Sequence, residues 1–149
     1  MRQIIFLIIF LITGCAIQRD IPPQPVISLY EHNDMHFLNV TLNGKKTMLL
    51  IDTGASKSIL DISKAEEYDF DFVMLSKQQY IGLGGRQDIY AVYDYKIDEM
   101  FISFLGTDLS EITGYFKQEN INIVGVLGAD YLEQHNIIID FKKNEMITP

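Results

Sequence analysis

A mainly β domain is predicted for this chain, on three observations. Leu38, Val40 and Leu42 alternate with polar neighbours and run into Asn43-Gly44, the pattern of a strand entering a tight hairpin. A second glycine cluster, Gly82-Leu83-Gly84-Gly85, sits between two further strand-like segments. Near the C-terminus a single short stretch, Ala129 to His135, has helical character and is followed by Asn136 as a C-cap.

Taken in order, Thr47 to Ile51 is the partner strand of the first hairpin, and its apolar character on both sides predicts deeper burial than the first strand has. Asp61 to Tyr68, with Ser63 three residues before Glu66, predicts a short helical turn capped by Ser63. Gln79 to Ile81 and Asp88 to Ile97 are predicted strands flanking the glycine cluster. Met100 to Leu105 and Glu111 to Phe116 are weaker strand predictions. Ile121 to Leu127 reads as a buried strand. Ile137 to Phe141 reads as a final strand, returning through Lys142-Lys143-Asn144 to Glu145 to Ile147.

The 149 residues, 48% hydrophobic and 21% charged, suffice for one packed core. A formal net charge of −8 argues against nucleic acid or an anionic membrane surface as the main partner. Residues 1–14 carry Arg2, then an apolar run ending in small residues, and read as a secretory leader. Ile12-Thr13-Gly14-Cys15 resembles the lipobox of bacterial lipoproteins. That resemblance implies cleavage before Cys15, lipidation of its thiol and attachment to a membrane through lipid alone, with Ala16 favouring the outer membrane. A leader cut elsewhere, or an uncleaved anchor, is the alternative. Cys15 is the single cysteine, so no disulfide forms within the chain. Residues 15–25 hold three of the four prolines and read as an extended tether, leaving 26–149 as the domain.

The chemistry concentrates at Leu49-Leu50-Ile51-Asp52-Thr53-Gly54-Ala55-Ser56. A carboxylate at the end of a buried strand must be paired, hydrogen-bonded or protonated. Gly54 lets backbone approach the acid and point its N–H at a carboxylate oxygen, Thr53 offers a hydroxyl to lock the loop, and Ala55 and Ser56 leave space above. Such a site suits two carboxylates sharing a proton around a water, acting as general base and general acid on an amide. Only one Asp-Thr-Gly occurs in the chain, and a twofold dimer would supply the second.

These residues resemble the retropepsin-like aspartic proteases, the single-lobe dimeric relatives of pepsin, in three pieces over residues 35 to 147. The hairpin and Asp-Thr-Gly-Ala loop come first. Tyr80 to Gly85 with Asp88 to Tyr95 resembles the flap hairpin. Val124 to Leu132 with Asn136 to Phe141 resembles the hydrophobic-hydrophobic-Gly strand and the C-terminal helix that brace the site. The resemblance implies a closed, orthogonal β-barrel of the acid protease fold, one lobe per chain, with a short C-terminal helix. It implies Asp52 as the catalytic acid, Thr53 hydrogen-bonding across a homodimer and Gly54 orienting the carboxylate. Ala55, Ile81, Gly82, Leu83, Gly84 and Gly85 would contact a peptide or protein substrate, and Gly128 would pack under the Asp52 loop. No metal or organic cofactor is implied.

Residues 57–79 and 101–120 are longer than in the compact retroviral enzymes, and the short tail after Phe141 puts the viral dimer sheet built from the termini in doubt. Asp52 also fits a turn-capping aspartate. The glycine cluster lacks the following helix and Lys-Ser/Thr of a phosphate loop. Asp130 reads as a first-turn helix acid and Asp140 as the polar position of a strand edge. His32, His36 and His135 lack metal-ligand spacing, and Ser56 and Ser58 lack the turn of a serine nucleophile. Two other functions compete with an aspartic endopeptidase: an inactive binding module on the same fold, and a fragment of an actin-like phosphotransferase, for which the chain is too short.

Overall fold

In chain order the elements are β1 (Val26–Ser28), β2 (Tyr30–His32), β3 (Met35–Leu42), β4 (Lys45–Ile51), β5 (Ile59–Asp61), a 3-10 turn (Ile62–Lys64), α1 (Ala65–Tyr68), β6 (Asp71–Gly82), β7 (Gly85–Tyr93), β8 (Leu105–Thr107), α2 (Ser110–Gln118), β9 (Ile123–Leu127), α3 (Ala129–Gln134), β10 (Ile138–Asp140) and β11 (Glu145–Ile147). The computed structural model describes residues 24–82, 85–98, 100 and 102–149. Residues 1–14, Cys15, most of the tether, Leu83 and Gly84 lie outside the described residues. Among the described residues no helix is long and apolar enough to cross a membrane.

Eight strands form one sheet in the order β2-β3-β4-β9-β5-β8-β7-β6, and a second sheet has the order β1-β11-β10. The mainly β expectation therefore holds, with the predicted short helix in place as α3. The β3–β4 hairpin turns at Asn43 (φ 47°) and Gly44 (φ 80°), the positive pair that a tight two-residue turn needs. Asn43 does more than turn the chain. Its Nδ2 donates to the carbonyls of Tyr68 and Asp69, at 3.0 and 2.7 Å, and its Oδ1 accepts the Lys96 N–H at 2.8 Å. One side chain thus ties the hairpin tip to the end of α1 and to the segment after β7.

β4 runs parallel to β9, with Leu49, Leu50 and Ile51 opposite Gly125, Val126 and Leu127. Every residue of β9 is buried, because β4 and β5 flank it and both its faces are covered. Gly125 is required there: a Cβ would collide with the carbonyl oxygen of Ile59 on β5. The main core gathers Leu49, Leu60, Leu127 and Tyr68 from the large sheet and α1, with Leu132 from α3 and Met146 from β11. It therefore bonds the small sheet to the large one by burial, at roughly 1.5–3 kcal/mol per large apolar side chain.

Several elements differ from the sequence prediction. β6 extends over twelve residues from Asp71, where a strand only from Gln79 was predicted. Asp71 to Met74 are exposed on both faces, so no alternation marks the strand. β7 ends at Tyr93, and Ile97 keeps only an isolated bridge to Leu42. The strand predicted over Met100–Leu105 lies instead at Leu105–Thr107, and β5, a fully buried three-residue strand, was not predicted. Glu111 to Phe116, predicted as a strand, belongs to helix α2. The helical turn after β5 is capped by Asp61, which accepts the Ser63 N–H, while the Ser63 hydroxyl donates to Asp61. Ser63 is therefore the guest of that cap and not its acceptor.

Candidate active site

Asp52 stands just past the end of β4. Ile51 before it is buried, whereas Asp52, Thr53 and Gly54 are exposed on the single chain. The expectation of a desolvated carboxylate is thus not met within one chain, because the loop turns the acid outward. Its main chain is fixed: the Asp52 N–H donates to Leu127 O at 3.0 Å, and the Ala55 N–H returns to Asp52 O at 3.1 Å. Its carboxylate is aimed by the Gly54 N–H, which donates to Oδ1 at 2.9 Å. A Cβ on Gly54 would lie 3.2 Å from that same oxygen, so glycine keeps the approach open.

The loop rests on the start of α3. The Ala129 N–H donates to Ala55 O at 2.8 Å. Gly128 lies directly beneath, where a Cβ would come within 2.6 Å of the Lys57 carbonyl group and 2.8 Å of Ala55 O. A second clamp was not foreseen. Ser58, fully buried, donates its hydroxyl to Asp130 Oδ1 at 2.7 Å and accepts the Gly128 N–H at 3.0 Å. The same Oδ1 takes the Ser58 and Tyr131 N–H groups, each at 2.9 Å. Asp130 does sit in the first turn of α3, as predicted, but its carboxylate is spent on the side of the Asp52 loop. A serine six residues past Asp52, paired with the acid that follows Gly128, was the signal available in the sequence.

The predicted flap is the β6–β7 hairpin. Gly82 pairs with Gly85 across the connection at 83–84, and Ile81 pairs with Arg86. Gly85 has φ 94°, a backbone that glycine adopts freely. In the sheet order β9, β5 and β8 separate this hairpin from β4. The structure therefore joins Asp52, Thr53, Gly54, Ala55 and Gly128 in one loop assembly, and carries Ile81, Gly82 and Gly85 on a separate arm. The residue that opens α2 joins the loop's side of the sheet: Leu109 is buried in one cluster with Ile59 and Val126, and Leu50 and Ala55 pack against that cluster. Tyr90 and Tyr93 lie on β7, while Tyr95 donates its hydroxyl to Ile102 O at 2.7 Å. His36 is held by Asn144 at 2.9 Å, and among the described residues no group of three or more His, Cys, Asp or Glu could hold a metal ion.

Comparison with known proteins places this assembly. A solved EIAV protease complexed with the inhibitor HBY-793 is 19% identical, with a TM-score of 0.52, over 74% of this chain and 97% of that one. A retropepsin-like aspartic protease from Rickettsia conorii is 20% identical over 84% of this chain and 88% of that one, with a TM-score of 0.48. The retroviral protease-like domain of Ddi1 from Leishmania major is 22% identical over 77% and 92%, with a TM-score of 0.45. No curated protein matches the sequence. The first of these likenesses carries the fold, which is retropepsin-like. The family profile described as "Aspartyl protease" matches residues 38–131, from β3 through the Asp52 loop and the hairpin to the first turn of α3. The chain belongs to the aspartyl protease family.

Proposed function

We propose that two copies of this chain form an aspartic endopeptidase, in which the two Asp52 carboxylates hold and activate a water against a peptide bond. The observation that carries the reading is the presentation of Asp52. The acid is exposed on the single chain and aimed by the Gly54 N–H, while everything behind it is rigidly bonded. An outward acid on a braced loop suits a site completed by a second chain.

In the proposed reaction the ionised Asp52 takes a proton from the water as its oxygen attacks the amide carbon. The protonated Asp52 of the other chain gives its proton to the carbonyl oxygen, leaving a neutral tetrahedral diol. The Asp52 that took the water's proton then gives it to the amide nitrogen while the other, now ionised, takes a proton from a diol hydroxyl; the C–N bond breaks, acid and amine leave, and the pair again shares one proton, with no covalent intermediate. Because one shared proton is required, activity falls as pH rises enough to ionise both carboxylates. Thr53 would hydrogen-bond to its counterpart across the dimer, and the β6–β7 hairpin, with Ile81, Gly82 and Gly85, would cover the peptide. The lipobox-like Ile12-Thr13-Gly14-Cys15 supports display of the domain on the outer side of a bacterial membrane through a lipid on Cys15.

Purified protein and its Asp52→Asn variant, incubated with a peptide library, test this. Cleavage by wild type alone supports the reading. Equal cleavage by both removes Asp52 from the mechanism, and a strictly monomeric chain without cleavage leaves a binding module on the same fold.

A further inference from the structure

Asp61 ends β5 with its side chain fully buried. Oδ1 accepts the N–H groups of Ser63 and Leu109, both at 3.0 Å, and Oδ2 accepts the hydroxyls of Ser63 at 2.8 Å and Thr113 at 2.7 Å. Four donors surround a carboxylate that no Lys or Arg among its hydrogen-bond partners neutralises, so dipoles alone hold it in the interior. Two of them are local. The other two belong to α2, 48 and 52 residues further along the chain.

Helix α2 needs such outside support. It has nine residues, with Ile112, Thr113 and Gly114 in its middle, and Leu109 at its start supplies no side-chain cap. Asp108 serves the first residue of the helix, accepting the Ser110 N–H at 2.9 Å. The remote Asp61 therefore anchors the helix entry from outside, by accepting the N–H of the residue that opens α2 and the Thr113 hydroxyl one turn in. What it holds is adjacent to the proposed chemistry. Leu109 is buried in one cluster with Ile59 and Val126, against which Ala55 of the Asp52 loop packs, and Leu109 to Ile112 line an open cavity of about 650 Å³ together with Gln87 and Tyr90 of β7.

We propose that Asp61 is a positioning residue for substrate: it fixes α2 as one wall of the cavity that α2 forms with β7, and so sets how tightly a peptide is held without touching the reacting atoms. This rests on the peptidase reading. The hydrogen-bond pattern gives the role a chemical signature. An Asn at this position can place its carbonyl oxygen on the two N–H donors and its NH₂ on the two hydroxyls, which turn to accept; Thr113 Oγ1 then donates to Ser110 O, already 3.5 Å away. Asp61→Asn thus keeps the network, and Asp61→Ala removes it.

The test compares wild type, Asp61→Asn, Asp61→Ala and Thr113→Val on an internally quenched peptide chosen from the wild-type library digest, alongside amide exchange of α2. Asp61→Ala is expected to raise KM by about fivefold or more while kcat changes less than about twofold, and Asp61→Asn to stay within about threefold of wild type in both. Thr113→Val is expected to move KM in the same direction by about two- to threefold. The α2 amides of Asp61→Ala are expected to exchange at least about tenfold faster, with β4 and β9 unchanged. An unchanged KM in Asp61→Ala, a fall in kcat at constant KM, or an Asn variant as impaired as Ala would overturn the proposal. If Asp61→Ala does not fold, an unchanged KM in Thr113→Val overturns it instead. Failure of the peptidase reading looks different: wild type does not cleave, or Asp52→Asn cleaves equally, and faster α2 exchange in Thr113→Val then still decides whether Asp61 holds the helix.

Discussion

The hydroxyl of Ser58 donates to Asp130 at 2.7 Å while accepting the Gly128 N–H at 3.0 Å, joining the far end of the Asp52 loop to the first turn of α3. Removing either side chain leaves a buried donor without its partner. Ser58→Ala and Asp130→Ala are each expected to cost about 1–3 kcal/mol in denaturant midpoints. Asp130→Asn, which keeps an accepting oxygen for the three donors, is expected to cost less. In peptide cleavage the two alanine variants are expected to lose kcat with KM retained, because the loop carrying Asp52 loosens while the groove does not.

Gly128→Ala sets a Cβ within 2.6 Å of the Lys57 carbonyl group and 2.8 Å of Ala55 O. Both contacts are main chain, so no side chain can turn aside. The loop must lift off α3, and the expected cost is about 1–3 kcal/mol together with loss of cleavage. Urea unfolding and a library digest of the variant check the two effects; a stable, active Gly128→Ala would show that the loop does not depend on this close packing.

Asn43 holds the hairpin tip through bonds to Tyr68, Asp69 and Lys96 and has φ 47°. Asn43→Gly preserves the turn and removes the bonds, whereas Asn43→Ala also strains the backbone. The alanine variant is therefore expected to unfold more easily than the glycine variant by about 1 kcal/mol, with both less stable than wild type. Equal thermal stability of all three would place the Asn43 bonds among contacts that add nothing.

The Ser110 hydroxyl and N–H hold the Asp108 carboxyl below its usual pKa. The folded chain then binds that proton less readily than the unfolded one. Its stabilising contribution is complete above the unfolded-state pKa and is lost as pH falls through the folded-state pKa. Asp108→Ala is expected to destabilise α2 at neutral pH by roughly 0.5 kcal/mol, since the group is exposed, and to match wild type in strong acid. Denaturant midpoints at the two pH values measure it.

Much of the site was legible because its signals are local. Asn43-Gly44 fixes a turn, Asp52-Thr53-Gly54 a loop, and Gly128 with the Ala129 helix a brace, each within a few residues. The elements that were missed depend on partners far away in sequence. α2 was predicted as a strand because Ile112, Tyr115 and Phe116 suit either structure; its entry is anchored by Asp61 on another strand. β6 was shortened because an arm exposed on both faces has no apolar alternation to read. Asp61 read as the start of a helical turn, Asp130 as a first-turn helix acid and Ser58 as a serine without a nucleophile's turn; only the packing of β5, α2 and α3 shows how they are bonded.

The most direct test mixes a fixed amount of wild type with increasing Asp52→Asn chain, co-refolded so that subunits redistribute, and follows cleavage of the quenched peptide. If each site takes one Asp52 from each of two chains, mixed pairs are inactive. Activity should then fall with the wild-type fraction, to about half at equal amounts of the two chains. Activity that stays constant as the variant is added would mean that one chain suffices, and would contradict the shared site.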